Sequence, residues 1–215
     1  MSPETRALRQ TIEALAFERI LRPAQGGWTV GGLAIRAPYR LQASGRVRLL
    51  DDPRDATGGL LKPDDLERAL ARAGHDPAAL MTAMRRSAHF LRAAGPVRND
   101  RLSLTGPALE ASLIEGHPYH PGFKTRAGFS DADNAAFGPE GGRTIVPVWL
   151  SVDPAIVTRA GTDPAQGWAP PGAIPVHPWQ WRRLQRDPAV QALMARGALK
   201  VLPADGPRMQ ATASL

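Results

Sequence analysis

The sequence predicts an α+β fold, and three observations carry the prediction. Apolar residues recur at helical spacing near the start, as Leu8, Ile12, Leu15, Ala16 and Ile20. Short runs rich in β-branched and large apolar residues appear at 28–36, 46–50 and 143–152. Between them, Asp-Pro pairs and glycines mark helix starts and stops, as at Asp76-Pro77 and Asp187-Pro188.

Taken in order, residues 4–21 form an amphipathic helix. Residues 28–36 and 46–50 alternate loosely and predict two short strands, with Ser44-Gly45 as the turn between them. Residues 63–73 are a short helix with acids at its start and arginines at its end, which suits the helix dipole. Asp76 caps a stronger helix whose apolar face is Leu80, Met84, Ala88 and Leu91, with Gly95 as its stop. His75 and His89 read as ordinary helix residues. Gly106-Pro107 opens a helix through Leu109 and Leu113 that ends at Gly116. Residues 143–152 read as a buried strand, and Pro147 inside it predicts an edge position or a bulge. Residues 160–175 are a Gly/Pro-rich loop, and Pro178 fits a first helical turn with Trp179 and Trp181 as core anchors. Asp187-Pro188 caps a helix ending at Gly197, and 198–202 is a short strand. A soft boundary near 95–100 divides the chain into 1–98 and 99–215.

Composition narrows the classes. With 215 residues the chain can bury one sizeable core or two small ones. Cysteine is absent, so disulfides and thiolate metal sites are excluded. The first twenty residues mix charges among the apolar ones and lack a secretory h-region, so a cytoplasmic protein is expected. The net charge of +7 comes mostly from scattered arginines, without a basic run interleaved with aromatics, and this argues against nucleic acid as a partner.

The richest stretch is 115–128, Glu-Gly-His-Pro-Tyr-His-Pro-Gly-Phe-Lys-Thr-Arg-Ala-Gly. Its two prolines exclude a regular helix or central strand. A rigid loop remains, carrying His117, His120, Lys124 and Arg126, and its cations and donors suit an anionic, phosphate-rich ligand. Read alone, the histidines fit backbone bonding or phosphate donation equally. A metal pair is disfavoured, because no cysteine, further clustered histidine or suitably spaced carboxylate accompanies them. His177, in Val-His-Pro-Trp-Gln-Trp (176–181), sits just outside a helix start and either stabilises structure or lines a ligand cleft.

Gly-His-Pro-x-His-Pro-x-x-Lys-x-Arg-x-Gly at 116–128 resembles the signature of the IucA/IucC family, the NRPS-independent siderophore synthetases. The 176–181 segment and Gln-Ala-Thr-Ala-Ser-Leu at 210–215 resemble two further family motifs in the expected order. The resemblance covers about residues 100–215. It implies a cupped-hand fold of which this chain would be the thumb region and the start of the fingers. It implies Mg2+ and ATP as cofactors, adenylation of a carboxylate of citrate or a related acid, and condensation with an amine or hydroxyl. Phosphate or adenylate contacts are implied for His120, Lys124 and Arg126. His117 would be mainly structural, and Thr212 and Ser214 would lie in a nucleotide-contact loop. Family members are longer, so the chain is expected to be an N-terminal piece, inactive alone and prone to self-association, of a protein that can be homo-oligomeric. The alternative is a non-catalytic anion-binding remnant of the same fold.

Overall fold

The computed structural model describes residues 1–94, 100–113, 120–123, 126, 128–139, 144–158, 160–161, 172–203 and 207–211. Two compact units divide the chain. The first is Met1–Asn99 with Leu113–Ala127, and the second is Asp100–Ser112 with Gly128–Leu215.

The first unit opens with α1 (Pro3–Phe17), capped by Ser2, whose hydroxyl accepts the Thr5 N–H at 3.1 Å. Strands β1 (Arg22–Ala24), β2 (Gly27–Val30) and β3 (Leu33–Arg36) form an antiparallel meander, with Trp28 opposite Ile35. A hairpin of β4 (Tyr39–Leu41) and β5 (Val47–Leu49) follows. Helices α2 (Pro63–Arg72) and α3 (Ala78–Ala94) complete it.

Leu8, Ile12 and Leu15 of α1 bury against Trp28, Ile35, Leu49, Leu66, Leu70, Met81 and Met84 in one core. Each fully buried Leu or Ile contributes about 1.5–3 kcal/mol of transfer free energy. One carboxylate enters this apolar setting. Glu13 is 3% exposed and accepts the Leu49 N–H at 2.8 Å and an Arg48 guanidinium N–H at 3.3 Å, tying α1 to β5. Burial raises its pKa above the ordinary 4.5, and the Leu49 amide and the Arg48 charge oppose that rise.

The second unit holds α4 (Gly106–Ser112), α5 (Asp131–Phe137) and a short ladder of β6 (Thr144–Ile145) with β10 (Met209–Gln210). Its main sheet is β8 (Ile174–Val176), β7 (Val148–Val152) and β9 (Leu199–Val201), with β7 central and both pairings antiparallel. Helices α6 (Pro178–Leu184) and α7 (Pro188–Ala195) supply Trp181, Leu184, Val190 and Leu193 to the core under Leu150, Val176 and Leu199.

The α+β class holds, and several local expectations change. Residues 28–36 are two strands, not one. Gly31 (φ 50°) and Gly32 (φ 80°) turn between β2 and β3, and a Cβ on Gly31 would lie 1.9 Å from the Ala69 carbonyl oxygen. Ser44-Gly45 does turn a hairpin, but it joins β5 to β4 rather than to the 28–36 run. Pro147 marks neither an edge nor a bulge. It falls between β6 and β7, which belong to different sheets, and the ladder begins one residue later, where an N–H is available. His75 lies beyond the end of α2, whereas His89 is in α3. Helix α5 was not expected at all. The predicted stops at Gly95 and Gly116 lie outside the described residues.

Candidate functional site

In the first unit, the described part of the signature stretch is built around His120. Pro121 has no N–H, so the first donor beyond the histidine belongs to Gly122, and His120 Nδ1 accepts it at 3.1 Å. The Phe123 N–H donates to the His120 carbonyl at 3.0 Å, closing a turn. This turn is seated by two helices. Gln10 Nε2 of α1 donates to the His120 carbonyl at 3.3 Å, and Ser87 Oγ of α3 donates to the Pro121 carbonyl at 3.3 Å. Gly122 is buried, and a Cβ there would lie 3.2 Å from Ala83 Cβ and 3.3 Å from the His120 ring, so a larger residue would press on both neighbours.

The bond has a chemical consequence. A neutral imidazole that accepts at Nδ1 carries its proton on Nε2. The exposed His120 therefore presents an N–H donor on a ring fixed at its other nitrogen. Beside it opens a groove of about 460 Å³, lined by Leu15, Ile20, Leu70 and Leu80 and by Glu18, His75, Asp76 and His120 itself. Arg126 is half-buried in the same unit.

In the second unit, His177 repeats the arrangement. It is the N-cap of α6, followed by Pro178, and its Nδ1 accepts the Trp179 N–H at 3.1 Å. Its ring packs on Phe137 (centroids 5.0 Å apart) and Phe129 (6.4 Å), and Phe129 in turn meets Trp179 at 4.9 Å. Burial first, and the nearby Arg182 charge second, hold the His177 pKa below the ordinary 6.5. Arg182 lies over Phe137 at 5.2 Å and pairs with Asp133, and Arg183 lies over Trp179 at 5.0 Å. Asp133 closes a capping box at the start of α5. Hydrogen bonds from the Ser130 amide and hydroxyl, with Arg182, lower its pKa to about 2.

This cluster joins two sequence motifs within one unit. Gly128, the last residue of the first signature, has φ 80°, and a Cβ on it would lie 3.1 Å from the Trp179 ring. The sequence pointed to His177 and Trp179 but missed Phe129, Asp133, Phe137 and Arg182. The available signal was Ser130-x-x-Asp133, a capping box written with Asp in place of the usual Glu. His117, Lys124, Thr212 and Ser214 lie outside the described residues. Among the described residues no three His, Cys, Asp or Glu side chains are placed to hold a metal ion, and no helix is long and apolar enough to cross a membrane.

Two kinds of comparison converge on this sequence and fold. The profile of the IucA / IucC family matches residues 106–215, just over half of the chain. The chain belongs to the IucA / IucC family. Among relatives, it is 33% identical to the citryl-spermidine/3,4-dihydroxybenzoyl-citryl-spermidine:spermidine ligase of Bacillus anthracis, over 34% of this chain and 16% of that protein. It is 31% identical to the rhizobactin siderophore biosynthesis protein RhbC of Rhizobium meliloti, over 43% of this chain and 19% of that protein. Among solved structures, the aerobactin synthetase IucC of Klebsiella pneumoniae superposes with a TM-score of 0.70 at 20% identity, covering 98% of this chain and 46% of that one. The ATP-bound aerobactin synthetase IucA of the same organism gives a TM-score of 0.68 at 17% identity, covering 100% and 46%. At such identities the likeness establishes the IucA / IucC fold. The chain spans under half the length of these synthetases.

Proposed function

We propose that this chain is the N-terminal part of an ATP-dependent siderophore synthetase that works in the cytoplasm. The synthetase would adenylate a carboxylate of citrate or a related acid and join it to an amine or hydroxyl. In the first step a carboxylate oxygen bonds to the α-phosphorus of ATP and the bond to pyrophosphate breaks. In the second, the amine or hydroxyl attacks the acyl carbon, AMP leaves with the bonding electrons, and the nucleophile's proton passes to solvent or a base. The observation that carries the reading is His120. It lies in the segment matched by the family profile, exposed, with Nδ1 committed to Gly122 and Nε2–H available as a donor. Charge builds on phosphate oxygens during adenylation, and a donor already fixed in place stabilises it without reorganisation.

Lys124 and Arg126 would add permanent positive charge against the phosphates, with Thr212 and Ser214 offering hydroxyls and backbone amides. His117 would brace the same loop. His177 would act as a brace for the Gly128–Phe129 segment rather than as a substrate contact, since the ring that caps α6 also packs on Phe137 and Phe129. Mg2+ would arrive on the nucleotide, because hard divalent cations of this kind are held largely by substrate phosphates and one or two carboxylates. The thumb-and-fingers placement, with a change of region near residue 98, belongs to the same proposal.

The test is citrate-dependent ATP–pyrophosphate exchange by the protein containing this chain. Exchange that needs both citrate and magnesium is expected, with His120→Ala lowering it on the order of 10²-fold. Protection by ATP against unfolding without any exchange, across a panel of polycarboxylates, would overturn the enzyme reading in favour of a binding module.

A further inference from the structure

The end of α1 contains a residue that the local backbone does not favour. The Ile20 N–H donates to the Leu15 carbonyl at 3.0 Å and the Arg19 N–H to the Ala16 carbonyl at 3.2 Å, which is a complete Schellman motif with Arg19 at its left-handed position (φ 59°). Glycine is the usual occupant, because a Cβ crowds the following carbonyl there. This chain follows that preference elsewhere. At the end of α2, His75 and Gly74 donate to Leu70 and Ala71 in the same pattern, with Gly74 at φ 85°. At the end of α7, Ala198 and Gly197 donate to Leu193 and Met194, with Gly197 at φ 73°. Among the described residues Arg19 is the one non-glycine residue with positive φ. Strain kept at one of three equivalent positions calls for a role of the side chain.

The surroundings indicate the role. Arg19 lines a hollow of about 540 Å³ together with Arg22, Thr29, the Gly31-Gly32 turn and His75. Arg22 stands opposite Thr29 in the β1–β2 ladder. The Arg19 and Arg22 guanidiniums and the His75 ring form no hydrogen bond or ion pair with any described residue, and all three residues are exposed. No described carboxylate lines the hollow. Two uncommitted guanidiniums with no acid among them match a small anion bearing two or more negative charges. We propose that this hollow, formed where α1 and α2 end, binds a small polyanion, a polycarboxylate or a phosphate compound, with Arg19 and Arg22 as its chief contacts. It lies wholly in the first unit and is assigned independently of the adenylation chemistry.

Arg19→Gly relieves the strain and removes the contact, so folding and binding should move in opposite directions. Thermal unfolding of the full chain is measured at constant ionic strength in chloride, inorganic phosphate and citrate. The variant is expected to melt on the order of 2 °C higher than wild type in chloride. It is also expected to lose most of the anion-induced rise in Tm that wild type shows. Arg22→Gln, at an exposed position, should lose that rise with an unchanged chloride Tm. A rise in both anions assigns the hollow to multivalent anions in general, and a rise in citrate alone assigns it to polycarboxylates. An anion-induced rise that survives in both variants would overturn the proposal. So would a lower chloride Tm for Arg19→Gly, which would give the arginine a purely structural part at the helix ends.

Discussion

His177 offers the sharpest test of how the second motif works. Replacing it with alanine removes the N-cap of α6, because the Trp179 N–H loses its 3.1 Å acceptor. Cap loss costs about 1 kcal/mol. The ring also leaves its edge-on contact with Phe137 at 5.0 Å and the looser one with Phe129 at 6.4 Å. The closer contact is worth about 0.5–1.5 kcal/mol beyond area burial. His177→Ala should therefore destabilise by about 2 kcal/mol, or about 4–8 °C in a chain of this size. Asparagine can accept the same N–H but cannot fill the ring's place, so His177→Asn should recover about 1 kcal/mol of that loss.

The same residue sets a pH signature. Its folded pKa lies below the ordinary 6.5, so between the two values the unfolded chain holds more protons. This contribution is fully present above pH 6.5 and declines as pH falls through the folded value. His177→Asn should be flatter than wild type across that window. Thermal unfolding followed by tryptophan fluorescence reads both effects, since Trp179 and Trp181 sit on the helix being uncapped. If asparagine rescues nothing, the cap is not the source of stability. If wild type and His177→Asn show the same slope below pH 6.5, the half-buried neutral imidazole is wrong.

Other positions give further outcomes. Glu13→Ala leaves the Leu49 N–H unsatisfied and should cost about 1–3 kcal/mol by urea unfolding. Glu13→Gln keeps an acceptor there and removes the charge. Because the folded Glu13 pKa is raised, wild type should lose stability relative to the glutamine variant as pH climbs from 4.5 through the folded value. Gly31→Ala combines positive φ with a Cβ 1.9 Å from the Ala69 carbonyl, and should cost at least about 2 kcal/mol. Asp133 has the opposite sign to Glu13. Its capping contribution should be intact above pH 3.8 and fall away as pH drops towards 2, a loss that Asp133→Asn should blunt in acid unfolding curves.

What the sequence revealed was mostly local. Asp187 at a helix start, followed by Pro188, needs no distant partner, and its carboxylate indeed accepts the Ala189 N–H at 2.8 Å. The 44–45 turn was legible for the same reason. The split of 28–36 was missed because β-branched and apolar residues flank Gly31-Gly32 on both sides, and alternation outweighed a glycine pair that is itself a hairpin signal. Helix α5 was missed because Asp at the third position of a capping box is a weaker signal than Glu. At the site, the histidines stood out from their prolines and neighbours. What seats them did not, since Gln10 reaches His120 across 110 residues of sequence and Ser87 reaches Pro121 across 34.

Histidine followed by proline occurs in both described motif segments, and both turns resolve it the same way. The proline withholds its N–H, and the imidazole accepts the next one, at 3.1 Å in each case. Serine, asparagine or aspartate could close such a turn at lower cost in size. The use of imidazole therefore calls for something those side chains lack, a second nitrogen on the far side of a ring locked by the first. At His177 the far side meets Phe137 and Phe129, and the ring serves packing. At His120 the ring is exposed beside a groove, and its Nε2–H faces no such aromatic pair among the described residues. One turn chemistry thus yields a brace in one unit and a pre-oriented donor in the other. That difference in surroundings, not in sequence, makes His120 the stronger candidate for touching substrate.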